Sequence, residues 1–536
     1  MDAETLSSLA RIAGALLVVL ASIVLLGALA ALAFALAREL RRDTLFLDPI
    51  DVPRGLDARG YSPAVVAERL LDALRAMRAG ALQREALDEA PTSARPIELH
   101  RAHRFSLQGA GRALLRLLRL PETHVGGEIT REAGGYELTL RRREAGGACI
   151  LGVQRGADIG TLLALGAEDV LRSVDLYTLA QHYFAREAGD PRSEFPRTMA
   201  ALEPMLHGSP SERSRALNLQ GICLVRQRRL EEAVACFASA ASAGPQWPFI
   251  HRNWANALDR MDRFDEARGH RLRALEIPAG DAATAAVLAI DASLLHRHDQ
   301  ALALARRALR LSPRDGRAWS AWAHVLHARH RFEQAAAAVE RARTLDGRDG
   351  SAAAVAAIVY AALARPDRAL AAALEAIEKA GETDRSLKSM AFARLCAGDA
   401  RGAVKNFEAA LGASPGAGDA AYGRADALLV LGEPELALAF YERAVAIDPF
   451  YPQAHAGWAR ALRALGRIDE SPARFAVAVR VDAAYAPAYR GWAETLSALG
   501  RNDEAQPLLA RAAALERRNR APLPLRQIAA RTRKLR

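Results

Sequence analysis

The carboxyl-terminal part of the chain repeats one pattern of small, large apolar and polar positions every 34 residues. Counting from Ser214 gives nine frames, the last of which ends at Asn519, with no residue inserted or lost. A repeat of this length indicates stacked helical units, which must share one core because each unit alone buries too little surface to fold. Alanine occupies the twenty-seventh place of every frame: Ala240, Ala274, Ala308, Ala342, Ala376, Ala410, Ala444, Ala478 and Ala512.

Two further columns of small residues predict where helices cross. The eighth place holds Gly221 in the first frame and alanine in the other eight, and the twentieth place holds alanine in all frames except at Ser471. Apolar positions three and four residues apart predict two amphipathic helices in each frame. Aromatic rings recur at the seventh and twenty-fourth places: Trp254, Trp322, Trp458, Trp492, Phe237, Phe407, Tyr441 and Phe475.

Glycine and proline separate the predicted helices. Four frames have glycine at the fifteenth place, where a helix would end on a left-handed residue. The pattern resembles the tetratricopeptide repeat, a pair of antiparallel helices in 34 residues. The resemblance implies a mostly α-helical chain, with a right-handed α-solenoid of about nine helix pairs over residues 214–519. Pro472 and Pro507 fall early in second helices and predict that the last two repeats are bent or shifted.

An uncharged stretch of 26 residues lies at 12–37. As a helix it would measure about 39 Å, and a hydrocarbon core is about 30 Å thick, so residues 1–42 are predicted to be a membrane anchor with its flanks. Arg38, Arg41 and Arg42 follow the stretch and predict a cytoplasmic body below a bacterial-type inner membrane. The alternative is a signal peptide cleaved between Ala33 and Ala37, which would place the body in the periplasm.

Between the predicted anchor and the repeats, the spacing of apolar residues changes and indicates strands as well as helices. Residues 43–60, with Pro49 and Pro53, are predicted to be a linker, and residues 61–175 a small α+β domain. In that domain we predict a helix at 63–80, strands near 97–99, 125–130, 136–142 and 148–153, and a helix at 159–174. Residues 176–213 are interpreted as a degenerate leading repeat. The apolar stripe of the first helix is Val66, Leu70, Leu74 and Met77.

No motif for catalysis, metal or cofactor binding emerges. The four cysteines are scattered, and Gly109–Gly111 lacks the remaining residues of a nucleotide-binding loop. His324, His327 and His330 are spaced by three and are interpreted as a solvated surface rather than as metal ligands. We therefore predict that the chain is not an enzyme and has no cofactor; an unrecognised activity in residues 61–175 stays open.

The resemblance implies that first helices line a concave groove through their second, fifth, ninth, twelfth and thirteenth places. Ten basic and four acidic residues fall there, which predicts protein or peptide partners with acidic and apolar segments; the alternative is that an arginine-rich chain places arginine on every face. Arg252 and Asn256 match part of a carboxylate clamp, which the next frames leave incomplete. The candidate binding residues are Arg252, Asn256, Arg260, Arg317, His324, Arg385, Lys388, Phe392, Arg460 and Arg463.

Residues 520–536 form a basic tail without an acidic residue, predicted to be a capping helix or a contact with anionic lipid. The formal net charge of +11 is compatible with acidic partners or an anionic membrane. Nucleic-acid binding lacks support, because no aromatic residues interleave with the basic ones. The favoured hypothesis is a membrane-anchored scaffold or adaptor. The alternatives are a sensor or unrecognised enzyme that uses the α+β domain, and a periplasmic envelope assembly factor.

Overall fold

The computed structural model describes residues 45–56, 60–82, 97–99, 123–132, 134–144, 147–190, 192–244, 246–345 and 350–520. The predicted anchor at 12–37, the glycine-containing loop at 109–111 and most of the basic tail lie outside these residues. Among the helices described, none combines the length and the apolar character that a bilayer crossing requires. The chain divides into two compact units, the first of which ends at Met205 and the second of which begins at Leu206.

The first unit contains a five-stranded mixed sheet in the order β2-β1-β3-β4-β5. Strand β1 is parallel to both β2 and β3, whereas β4 is antiparallel to β3 and β5. The strands are β1 (Leu45–Asp51), β2 (Ile97–Leu99), β3 (Thr123–Glu132), β4 (Gly135–Glu144) and β5 (Gly147–Gly156). The predicted strand pair joined at Gly134 and Gly135 is confirmed.

The described residues of the first unit also include four helices: α1 (Pro63–Leu82), α2 (Ile159–Val174), α3 (Leu176–Glu187) and α4 (Pro196–Leu206). The four residues of the predicted stripe on α1 are buried, and Gly166 of α2 lets Leu138 and Leu140 of the sheet approach its backbone. Asp158 and Asp175 cap α2 and α3 by accepting hydrogen bonds from backbone N–H groups. The predicted α+β character is therefore confirmed.

Two predictions about this region are wrong. Residues 45–51 of the expected linker form β1, which is a central strand because the run Leu45-Phe46-Leu47 is buried by its neighbours. Pro49 suggested a linker, but it lies where the pairing of β1 with β3 shifts its register, a place where a missing N–H is tolerated. Helices α3 and α4, interpreted as a leading repeat, belong to the first unit, apart from Leu206, the last residue of α4.

The second unit contains nine helix pairs, one for each frame, which we call the array. The pairs are α5 (Pro210–Arg226) and α6 (Leu230–Ala243); α7 (Pro248–Asp259) and α8 (Phe264–Glu276); α9 (Ala282–Leu294) and α10 (His298–Leu311); α11 (Gly316–Ala328) and α12 (Phe332–Leu345); α13 (Ser351–Ala362) and α14 (Pro366–Ala380); α15 (Asp384–Cys396) and α16 (Ala400–Ala413); α17 (Gly418–Val430) and α18 (Pro434–Ile447); α19 (Pro452–Ala464) and α20 (Ser471–Val481); α21 (Ala486–Ala498) and α22 (Asn502–Arg520). Each helix packs against its sequence neighbours.

The small columns at the eighth, twentieth and twenty-seventh places are buried in every frame, and glycines at the sixth place of later frames form close contacts with the preceding frame. The ring of Phe407 fills the space that a side chain at Gly423 of the next frame would need, and Tyr441 with Gly457 and Phe475 with Gly491 repeat this contact. The rings of Phe407, Tyr441 and Phe475 are almost completely buried. Neighbouring frames thus share one core, as the period predicts.

The fifteenth place of every frame adopts a left-handed conformation. Its φ lies between 76° and 87° at the four glycines of the later frames, and between 52° and 61° at the five other residues: Arg228, Asp262, His296, His330 and Ala364. In the eighth frame a short 3₁₀ turn at Ile468–Glu470 precedes Pro472, so that α20 begins later than the other second helices, which is the shift predicted there; α22 of the ninth frame begins at the usual seventeenth place, so no shift accompanies Pro507.

We predict that Gly423→Ala destabilises the array by about 1–3 kcal/mol, because the added methyl group would overlap the ring of Phe407. Gly412→Ala is the matched control: its methyl group meets no atom within 4 Å, and helix propensity favours it by about 0.5–1 kcal/mol. Urea unfolding of the full chain, followed by circular dichroism, measures both changes. Equal effects of the two substitutions would contradict the packing argument.

Candidate functional site

Four of the seven basic candidate binding residues are paired with carboxylates of a neighbouring first helix. Such helices lie one frame apart, so a long basic side chain on one reaches the carboxylate of the next. Arg252 pairs with Asp291, Lys388 Nζ lies 2.6 Å from Asp419 Oδ2, Arg460 Nη2 lies 2.6 Å from Asp426 Oδ1, and Arg463 Nη1 lies 3.4 Å from Glu494 Oε2.

These pairs change the predicted electrostatics of the groove. Asp291 stands at the tenth place of its frame, which the resemblance does not assign to the groove, so the sequence count of charges omitted it. Arg252 is held by that carboxylate and is only 15% exposed. Its guanidinium is therefore not available to bind a ligand carboxylate together with the exposed Asn256, as a carboxylate clamp requires.

Three other predicted residues have different surroundings. Arg317 is exposed and lies 3.2 Å from Asp315, in the turn before its own helix. Arg385 is exposed at the start of α15. Phe392 is a half-buried core residue whose ring packs edge-on against Phe407 at 4.9 Å, so it supports the helix pair rather than offering an apolar anchor.

One group of cations has no carboxylate partner. Arg226 is the last residue of α5, and Arg228 lies in the left-handed turn that follows. Arg260 follows α7 and occupies the thirteenth place of the second frame, the place that Arg226 occupies in the first. All three are exposed, and none forms an ion pair with any residue that the structure describes. Burial by surrounding groups lowers the pKa of Arg260, and repulsion by Arg226 and Arg228 lowers it further. We call these residues the arginine cluster.

Two carboxylates lie near the arginine cluster without neutralising it. Asp384 and Asp259 raise the pKa of Arg260, but their effect is smaller than that of burial. Asp259 is already paired with Arg271. Arg228 was missed at the sequence level because the resemblance assigns its place to a turn; the available signal was an arginine where later frames have glycine.

The histidines of α11 are not on a solvated surface, so that interpretation is wrong. Burial lowers the pKa of His324 to about 3, and nearby His327, Lys388 and Arg385 lower it further. Burial and His330 lower the pKa of His327 to about 4. Both rings are therefore neutral near pH 7. Among the described residues His324 Nδ1 has no hydrogen-bond partner although it is buried.

Tyrosines lie near these histidines and charge pairs. Burial raises the pKa of Tyr422, Tyr451 and Tyr485 well above the usual range. Tyr422 and Tyr451 meet edge-to-face with ring centroids 5.4 Å apart. Neutral imidazoles and phenols can stack and form hydrogen bonds with a bound chain. Within the described residues no group of three His, Cys, Asp or Glu side chains could hold a metal ion.

Comparison with known proteins agrees with the helix pairs. Residues 391–452 match a family model described as tetratricopeptide repeat. That match covers two of nine helix pairs that share one period, one left-handed turn and one set of small contact positions. Residues 391–452 are therefore similar to tetratricopeptide repeats, and the other helix pairs of the array share their period and their left-handed turn. Repeats of this class generally mediate protein–protein interactions.

Several solved structures of low identity match parts of the chain. A chain in the crystal structure of the APC/C hetero-tetramer Cut9-Hcn1 is 13% identical, with a TM-score of 0.48 and coverage of 66% of this chain and 76% of that one. YrrB, described as a TPR protein with an unusual peptide-binding site, is 23% identical, with a TM-score of 0.24 and coverage of 37% and 99%. MamA from Desulfovibrio magneticus RS-1 is 21% identical, with a TM-score of 0.25 and coverage of 31% and 97%. No curated protein matches the sequence.

We predict that the array loses stability as the pH falls from about 6.5 towards 4. His324 and His327 have folded pKa values of about 3 and about 4, below the unfolded value of about 6.5, so the unfolded chain binds more protons in this window. His324→Gln/His327→Gln should reduce the slope by up to about 1.4 kcal/mol per pH unit for each histidine.

The measurement is the denaturant midpoint of the full chain between pH 4 and 7. His207→Gln, at an exposed histidine outside the groove, is the matched control. An unchanged slope in the double variant would show that these two rings are not buried as neutral groups.

Proposed function

We propose that this protein is a membrane-anchored scaffold or adaptor, whose array recruits partner proteins through the arginine cluster and the row of residues that continues from it. The observation that carries the proposal is the arginine cluster itself. The array satisfies most of its groove charges internally, yet leaves these three cations exposed at its amino-terminal end. Exposed arginines that form no ion pair within the described residues favour carboxylates, with which they form charge-assisted hydrogen bonds.

The thirteenth places of successive first helices support a more specific partner. Arg226 and Arg260 occupy this place in the first two frames, and Leu294, which is 49% exposed, occupies it in the third. Asn256 lies one helical turn before Arg260, on the same face of α7. An extended segment along this row would meet two cations and then an apolar side chain. The partner that fits has acidic residues beside an apolar one.

The anchoring part of the proposal is supported by residues 12–37 and the arginines that follow them. We propose that this segment crosses the inner membrane once and that the array lies in the cytoplasm. Recruitment would then take place at the inner face of the membrane, where local concentration favours assembly of partners that bind the same scaffold.

We predict that a photoreactive residue placed at Asn256 crosslinks to partner proteins in intact cells. The adducts should be lost when Arg226→Glu and Arg228→Glu are added, because reversed charges repel an acidic segment. Arg260 is left unchanged, since Asp384 and Asp259 interact with it and a glutamate there would repel them.

Two controls separate binding from general effects of charge. The photoreactive residue at Leu374, which is 61% exposed on the second helix α14, should give no such adducts. Arg307→Glu/Arg310→Glu changes the same charge on exposed residues of α10 and should keep the Asn256 adducts. Adducts at Asn256 that survive reversal of the arginine cluster would refute this mode of binding.

We predict that the chain stays with the membrane after an alkaline wash and that deletion of residues 1–42 moves it to the soluble fraction. The amino terminus of the mature protein is determined on the same material. A mature chain that begins near Arg38 would overturn the cytoplasmic topology, because it would indicate a cleaved signal and a periplasmic body.

A further inference from the structure

Two hydrogen bonds join the turns of early frames to the ends of late ones. His296 Nε2 lies 2.8 Å from Asp448 Oδ2, and His330 Nε2 lies 3.0 Å from Asp482 Oδ2. Each pair is separated by 152 residues along the chain. Both histidines stand at the fifteenth place of their frames, and both aspartates at the thirty-first place, four frames later. The two contacts are therefore equivalent positions of one repeating geometry.

Each contact includes a tyrosine ring near the histidine, in addition to the histidine–aspartate hydrogen bond. The ring of Tyr451 lies 6.3 Å from that of His296, and the ring of Tyr485 lies 5.4 Å from that of His330. Each aspartate also accepts a hydrogen bond from the backbone N–H two residues further on, which orients its carboxylate towards the histidine. Both carboxylates are thus already oriented to accept the hydrogen bond from the distant histidine.

Further contacts extend the same line. Arg268 Nη1 lies 3.4 Å from Asp448 Oδ1, and its guanidinium lies over the ring of Phe450. The backbone of Gly416 packs against Asp259 of the second frame. Arg331 Nη1 donates to the carbonyl oxygen of Arg518 at 2.6 Å. The array is therefore coiled so that its second to fourth frames touch its sixth to ninth.

We propose that these contacts form a seam that closes the array on itself, and that the seam acts as a latch that opens without unfolding the helices. Opening the seam would uncover Tyr451 and Tyr485, whose rings pack against the seam histidines. Closure rests on the geometry of the array alone and not on the proposed function.

The chemistry of the seam distinguishes a latch from a permanent core. The apolar clusters of the array each run along neighbouring frames, and among the described residues none joins the third and fourth frames to the seventh and eighth. The four side chains of the two histidine–aspartate pairs are partly exposed, between 10% and 19%. An interface that consists of a small number of partly exposed polar contacts can open locally at low free-energy cost.

The latch is tested by hydrogen–deuterium exchange on the full chain, with His296→Ala/His330→Ala. Alanine suits both places, because Ala364 has the same left-handed backbone in the fifth frame. We expect exchange of backbone amides to rise about three- to tenfold in residues 295–298, 329–332, 448–452 and 482–486, since each lost hydrogen bond is worth about 1 kcal/mol. Exchange in α5 and α6, which lie outside the seam, should stay unchanged.

Asp262→Ala is the matched control: it introduces alanine at the same left-handed turn position of the second frame, where the side chain is exposed, and should leave all four segments unchanged. Unchanged exchange in the double alanine variant would overturn the proposal. If exchange rises throughout the array, the same measurement on Asp448→Asn/Asp482→Asn distinguishes opening of the latch from general destabilisation. These isosteric changes weaken only the acceptors, so a rise confined to the four segments supports the latch and no rise refutes it. Because no partner is needed, failure here is distinct from failure of crosslinking at Asn256.

Discussion

The array depends on the contact between an aromatic ring of one helix pair and a small residue of another helix. Phe407 against Gly423, Tyr441 against Gly457 and Phe475 against Gly491 leave no room for an additional methyl group. Because each ring contacts the following frame, no frame completes its core alone, and the whole array must form together. The position of each helix pair relative to the next is therefore constrained by packing as well as by the connecting loops.

The sequence predicted those features that depend on local spacing. The period of 34, the small columns and the left-handed turn at Gly398 are properties of a few consecutive residues, and the structure has all of them. It did not predict pairings between distant residues. Arg252 meets Asp291 only because neighbouring first helices pack side by side, and β1 is central only because β2 and β3, far along the chain, flank it. The same limit explains why His330 of the seam was interpreted as solvated.

Charge in the groove illustrates how packing changes the meaning of composition. Counted from the sequence, the groove is strongly basic. In the structure, Lys388, Arg460 and Arg463 each neutralise a carboxylate of the adjacent frame. These pairs are partly exposed and contribute little free energy each, but they remove charge that a ligand would otherwise meet. The functional signal is therefore the arginine cluster that remains unpaired, and not the total number of arginines.

The absence of insertions in the array has a consequence for the seam. The contact of His296 with Asp448 and that of His330 with Asp482 are equivalent only if every intervening frame contributes the same rotation and rise. One extra residue in a first or second helix would turn the residues after it by about 100° around that helix's axis, which would change the packing of the helix against its neighbours and displace both distant aspartates. The strict period is thus needed for two purposes: the shared core requires it between neighbours, and the seam requires it over four frames. The local packing and the closure of the array therefore depend on the same regularity of the chain.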